Sequence, residues 1–138
     1  MLTWEEIRAH IRKDYRPTSE TATSYTLRCE FPDGAEQEVV VTFQAERSGG
    51  PRLDIAGPVA DSRSFAPTDA LAYNLKAPKG ALALAGKRFV LRDTLDLKQA
   101  TLAALDQALT YVASEAMRLH RSTKREPVPA ELFSYLAS

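Results

Sequence analysis

KGALALAGKRF, residues 79–89, admits two readings, and they lead to different proteins. Taken as a glycine, a spacer and Gly-Lys, it looks like a phosphate-binding loop. Taken as alternating residues around a turn, it is a β-hairpin. A phosphate loop needs four residues between its first glycine and the Gly-Lys pair, then Ser or Thr to hold magnesium. Here Gly80 and Gly86 enclose five residues, and Arg88 follows Lys87. Those five, Ala81 to Ala85, alternate small and large with Leu82 and Leu84 on one side, as a strand does. Gly86-Lys87 stands where the hairpin turns, and Phe89 and Leu91 resume the inward face. The stretch is a hairpin, and nucleotide chemistry goes with the discarded reading.

Working outward, the hairpin strands fall near 80–85 and 88–94. Asp96 and Gln99 open a long helix after them, with Leu102, Leu105, Leu109, Val112, Ala116 and Leu119 in steps of three and four. Upstream, PTDALAYNLK (67–76) predicts a short helix, and residues 57–68, with two prolines and several small polar residues, read as a loop. Before that the period is two. Tyr25, Leu27, Cys29 and Phe31 alternate with polar residues, and FPDGAE then turns at Asp33-Gly34. Val39, Val41, Phe43 and Ala45 line one face of a second strand, and Leu53 and Ile55 mark a short third.

The first helix is specified by a capping box, Thr3 with Glu6, and by a stripe of Trp4, Ile7, Ile11 and Tyr15. Arg16-Pro17 ends it. The order α-β-β-β-α-β-β-α predicts a two-layer α+β domain over residues 1–125, an antiparallel sheet of about five strands packed by the N-terminal and the long C-terminal helix. Residues 126–138 read as a tail with a short docked helix or a loose end.

A chain of 138 residues buries roughly two-thirds of its unfolded surface as one domain. Lys+Arg and Asp+Glu are both 18, so no net field draws it onto nucleic acid or an anionic membrane. No apolar run approaches the ~20 residues of a membrane span. MLTWEEIRAH lacks the apolar centre of a signal peptide, and Cys29 is the single cysteine, so a cytoplasmic location is expected.

The search for chemistry comes back empty. His10 and His120, the two histidines, do not have metal-pair spacing, and His120 suits the negative end of the long helix. Cys29 falls on an inward strand face without a nearby base. Capping accounts for Asp96 at the strand–helix junction it shares with Asp93. No catalytic, metal or cofactor site is expected. Arg8, Arg12, Lys13 and Arg16, with the run Arg118 to Arg125, form two basic helix ends, the footprint of a nucleic-acid accessory factor or of solvated helices.

Other features suit association. Ala100, Ala104, Ala108 and Tyr111 form an alanine-rich line on the long helix, and Ala103, Ala113 and Met117 another. Val40 and Val90 point away from the inward face, and Leu132, Phe133, Tyr135 and Leu136 make an apolar knob in the tail, set to fold on its own domain or on a neighbour. Val40, Val90, Ala104, Ala108, Tyr111, Leu132, Phe133, Tyr135 and Leu136 are thus the candidate partner or dimer surface, against the alternative of ordinary scattered surface hydrophobes.

YNLKAPKGALALAGKRFVLRDTLDL (73–97) and the helix after it resemble the YbjN-like family, part of a broader group with the type III secretion chaperone fold. Asn74, Gly80, Gly86, Arg92, Leu95 and Leu97 stand where that family has an asparagine-led approach, a glycine-started small apolar strand, a tight turn, an arginine-ended strand and leucines before the last helix. The resemblance covers roughly residues 4–121. It implies a homodimer that binds protein partners, often as extended segments laid across sheet and helices, and a link to bacterial stress regulation. It carries no catalytic residues. The balanced charge departs from acidic secretion chaperones, which argues against a secretion role.

Overall fold

The computed structural model describes residues 1–45 and 49–123, so the apolar knob expected of Leu132, Phe133, Tyr135 and Leu136 lies outside the described residues. The elements run α1 (Trp4–Asp14), β1 (Pro17–Glu20), β2 (Ser24–Glu30), β3 (Glu36–Gln44), β4 (Arg52–Asp61), α2 (Pro67–Lys76), β5 (Ala81–Ala85), β6 (Arg88–Asp96) and α3 (Leu102–Thr123). The strands form one antiparallel sheet in the order β1-β2-β3-β4-β6-β5. The fold is α+β with an open sheet, as the sequence predicts.

Local chemistry explains most boundaries. The Thr3 hydroxyl accepts from the Glu6 backbone N–H at 3.2 Å, and the Glu6 carboxylate accepts from the Thr3 N–H at 3.3 Å. KGALALAGKRF is the β5–β6 hairpin, with Leu82 opposite Leu91, Leu84 opposite Phe89 and Gly86 at φ 62° in the turn.

Three details differ at the element boundaries. First, the expected sheet of about five strands gains a sixth, because Pro17–Glu20 adds an edge strand against β2. PTSE is short and mostly exposed and shows no apolar alternation, while a proline at the first residue of an edge strand costs no ladder bond. Second, β4 runs through Gly57-Pro58 to Asp61 where a loop is expected. The β3–β4 register ends at Val40 opposite Ala56, so Pro58 lies beyond that ladder, and its carbonyl accepts from the Gln37 side-chain amide at 3.0 Å. A bulge between Pro58 and Ala60 absorbs the remaining irregularity. Third, α3 begins at Leu102, capped by Thr101, whose hydroxyl accepts from Ala104 N–H at 3.1 Å. Asp96 instead closes β6, accepting from Lys98 N–H at 3.0 Å.

The core lies on one side of the sheet. Ile7 and Ile11 of α1 and Leu105, Leu109 and Val112 of α3 join Tyr25, Leu27, Val39, Val41, Leu53 and Ile55 in one buried cluster. A second cluster, Val59, Leu82, Phe89, Leu91, Ala116 and Leu119, continues it under α2 through Ala70. Gly57 lets α3 approach β4 closely. A Cβ there would stand 3.0 Å from Ala116 Cβ and 3.2 Å from Val112 Cγ1.

Side-chain pairs tie edge to helix. Glu20 of β1 accepts from Arg12 of α1 at 2.5 Å and from the Tyr25 hydroxyl. The Tyr25 bond, then that of Arg12, holds the Glu20 carboxyl below its ordinary range. Asp106 of α3 lies 2.7 Å from His10 Nε2 and accepts from the Tyr15 hydroxyl at 2.8 Å. Its desolvation opposes ionisation, but these two bonds outweigh it and lower the Asp106 value. Groups depressed on folding contribute stability above their unfolded values, near pH 4, and lose it as pH falls through the folded ones. Thermal unfolding scanned against pH is therefore expected to be flat above about pH 5 and to fall below about pH 4, less steeply in Glu20→Gln. A profile unchanged down to pH 3, below the ordinary carboxylate range, would contradict these pairings.

Candidate protein-binding surface

Sheet alternation sends one set of side chains into the core and the other onto a face that none of the described helices covers. Tyr25, Leu27, Val39, Val41, Ile55 and Leu91 are buried, whereas their neighbours Thr26, Val40, Ala56, Val90 and Arg92 are only half-buried. Registers place Val40 opposite Thr26 and Ala56, Ala56 opposite Arg92, and Arg92 opposite Ala81. Val90 stands opposite Pro58 and Ala83. Val40 and Val90, read separately as outward-pointing, therefore share one patch of small apolar side chains.

Charged residues rim this patch. Arg92 Nη2 donates to Asp54 Oδ1 at 3.1 Å, and Arg52 Nε lies 3.3 Å from the same oxygen. Arg28 pairs with Glu36 at 3.2 Å. An apolar centre inside a polar rim is the anatomy of a protein interface. At one end, where β3 and β4 part, an open notch of about 390 Å³ is lined by Glu36, Glu38, Pro58, Asp61, Arg88 and His120. The notch joins the helix layer to the open face.

The alanine lines of α3 serve a different purpose from the one expected. Ala108, Ala113, Ala116 and Met117 are buried against the sheet, so Ala108 has no surface to offer a partner. Ala104 is half-buried, and Tyr111 packs against both core clusters while its hydroxyl donates to Lys79 O at 2.8 Å. The outward side of α3 carries Ala103, Gln107, Thr110, Ser114 and Arg118, which is mostly polar. Small residues are there because α3 packs tightly on β4, as the contact of Ala116 with Gly57 requires.

Sequence reasoning passed over a second surface. Among the described residues, the exposed large hydrophobics other than Met1 are Leu71 and Leu75 of α2 and Leu84 of β5, at 69%, 86% and 59%. Leu84, expected inward with Leu82, is uncovered. Asn74 fixes α2 to this edge strand, its amide donating to Leu82 O at 3.0 Å and its oxygen accepting from Leu82 N–H at 2.7 Å. That bracket blocks another strand from pairing at Leu82 and leaves the three leucines outward. The signal was present in the i, i+4 leucines of α2, Leu71 and Leu75, next in sequence to Ala70 and Asn74 respectively.

The candidate reactive groups are engaged structurally. His10 lies between Asp14 at 3.1 Å and Asp106, and His120 Nδ1 is 2.6 Å from Val59 O. Burial raises the Cys29 thiol value, which disfavours the nucleophilic thiolate. Among the described residues, no group of three or more His, Cys, Asp or Glu is placed to hold a metal, and no helix is long and apolar enough to cross a membrane. Of the basic helix ends, Arg8 and Arg12 reach Glu20, Arg118 pairs with Glu115, and Arg121 reaches Asp33 at 2.6 Å.

The sequence matches no protein-family model and no curated protein. Solved structures that resemble the fold include chains from two complexes. One is a chain of the ExsC–ExsE complex, 14% identical, with a TM-score of 0.66 over 92% of this chain and 100% of that one. The other is a chain of the HopA1–SchA chaperone–effector complex, 8% identical, with a TM-score of 0.59 over 82% of this chain and 87% of that one. At these identities the likeness is one of fold.

Proposed function

We propose that this chain is a non-enzymatic, homodimeric, chaperone-like module that binds a protein partner on the open face of its sheet. The observation that carries the reading is that face: Val40, Ala56, Pro58, Ala83 and Val90, half-buried on its outer side, inside a charged rim. Its likeness to a chain from a chaperone–effector complex supports the class of activity. Partner chemistry follows from the surface. Small side chains on a pleated face accept an extended segment carrying larger apolar residues, while Arg92, Arg52 and Glu38 on the rim set its register. Leu71, Leu75 and Leu84 supply the second requirement, a self-complementary apolar edge for a two-fold dimer. The YbjN-like pattern of residues 74–97 supports a role as a stress-related regulator or adaptor in the bacterial cytoplasm.

The testing experiment is affinity capture from a bacterial lysate at low and high salt, with nucleic acid and protein both assayed. One or two stoichiometric proteins retained at high salt are expected, because apolar burial is not screened. Nucleic acid retained at low salt and lost at high salt would instead favour an accessory factor using the basic helix ends, since such binding releases counterions.

A further inference from the structure

The charged rim of the open face is unbalanced at one point, and the imbalance selects the partner. We infer that Arg52 and Arg92, with Asp54 between them, form a receptor for one carboxylate, supplied by an Asp or Glu side chain of the extended apolar segment that the face binds. This rests on the reading of that face as a protein-binding surface, and it adds an acidic residue to what the partner must carry.

Three side chains make the site. Arg52 and Asp54 of β4 and Arg92 of β6 alternate with the inward Leu53, Ile55 and Leu91, so all three stand on the outer side. Both guanidinium groups turn to one oxygen, Asp54 Oδ1, with Arg92 Nη2 at 3.1 Å and Arg52 Nε at 3.3 Å. Two cations thus share a single acid. That acid is also the least accessible of the three. Its side chain is 14% exposed against 33% for Arg52 and 42% for Arg92, so an incoming group meets positive charge. The Arg52 Nε is buried without a hydrogen bond among the described residues, so its approach to Asp54 is a charge contact only. Elsewhere the rim is matched one to one, as in Arg28 with Glu36 at 3.2 Å. Asp96, opposite Arg52 in register, has its Oδ1 engaged by the Lys98 N–H, and Lys98 brings a positive charge of its own.

The surroundings suit a carboxylate on an apolar chain. An open hollow of about 440 Å³ beside the two arginines is lined in part by Gly80, Ala81, Ala83 and Thr94, all short, which leaves room for a side chain to reach the guanidinium groups. The planar fork of arginine matches the two oxygens of a carboxylate. The hollow adjoins the apolar patch. Arg92 stands opposite Ala56 and Ala81, and Val90 lies two residues along β6, about 7 Å away. An acid one or two positions from the large apolar side chains of the segment therefore reaches the arginines while those side chains cover Val90 and Ala56. Excluding water there strengthens the charge pair, and a basic residue at the same position meets like charge.

Selection from a displayed library of random decapeptides tests this, with the full chain as bait beside Arg52→Gln with Arg92→Gln and beside Val40→Glu with Val90→Glu. The parent is expected to enrich peptides that combine Asp or Glu with nearby Leu, Ile, Phe or Val. The arginine variant should keep the apolar preference and lose the acidic one. Resynthesis of a selected peptide with Asn or Gln in place of its acid should weaken binding to the parent by about 10-fold or more and leave binding to the arginine variant unchanged. If the arginine variant loses its fold because Asp54 is left unpaired, adding Asp54→Asn removes that charge while both cations stay absent. Apolar enrichment without acids in the parent, or acidic enrichment that persists in the arginine variant, overturns the carboxylate receptor. The binding face then still stands if Val40→Glu with Val90→Glu abolishes the apolar enrichment. No enrichment by the parent, or equal enrichment by the valine variant, overturns the face and the receptor together.

Discussion

Leu109→Ala is expected to destabilise the protein by about 2–5 kcal/mol, the range for removing a leucine from a core that relaxes only in part. Leu109 is 1% exposed and belongs to the cluster that joins α3 to Val41 and Ile55 and, through Ile7 and Ile11, to α1. Truncation therefore opens a void at the contact of three elements, where no single side chain can fill it. The thermal midpoint should fall by about 10 °C or more in a domain of this size. Thr110→Ala, one residue away and exposed, is the control, expected within about 0.5 kcal/mol of the parent. Both are compared at one protein concentration, because dimerisation shifts apparent stability by mass action. A Leu109→Ala loss below about 1 kcal/mol would contradict the packing of α3 on the sheet.

The second large effect concerns assembly. Burying a leucine side chain contributes about 1.5–3 kcal/mol, and the two-fold interface proposed through Leu71, Leu75 and Leu84 would bury three from each copy. That gross gain, on the order of 10 kcal/mol, is comparable with the association cost of roughly 4–15 kcal/mol, so each leucine decides the outcome. Leu71→Glu with Leu75→Glu removes two per copy and sets like charges against each other. Sedimentation at micromolar concentration should show a dimer for the parent and a monomer for the double variant. Helicity should be unchanged, since glutamate is a good helix former and both positions are exposed. A parent that sediments as a monomer, or a double variant that remains dimeric, removes this edge as the interface.

Much of the fold was legible because local chemistry and long-range packing agree. The Thr3–Glu6 box, the alternation of β2 and β3, and the glycine-bounded hairpin each announce their element without reference to the rest. What escaped depends on partners distant in sequence. Pro17–Glu20 has no pattern of its own and becomes a strand only because β2 offers an edge. Gly57-Pro58 reads as a breaker, yet β3 has already left that stretch of β4, so the missing N–H costs nothing. Alternation alone put Val40 and Val90 on the outer side of their strands; only the register shows that they share a patch. The alanines of α3 mislead for a related reason. A smooth helix side indicates close approach but not what approaches, and here the neighbour is the sheet, through Gly57.

The open face is the centre of the functional reading, and Val40→Glu with Val90→Glu addresses it directly. Both side chains are half-buried on the solvent side of central strands, so the substitutions leave the core and the α2 edge intact. The measurement is quantitative capture from the same bacterial lysate with the parent and this double variant, at high salt and after confirming equal folding. A stoichiometric protein held by the parent and lost by the variant is the predicted result. The same protein held equally by both would contradict the assignment of the sheet face as the binding surface.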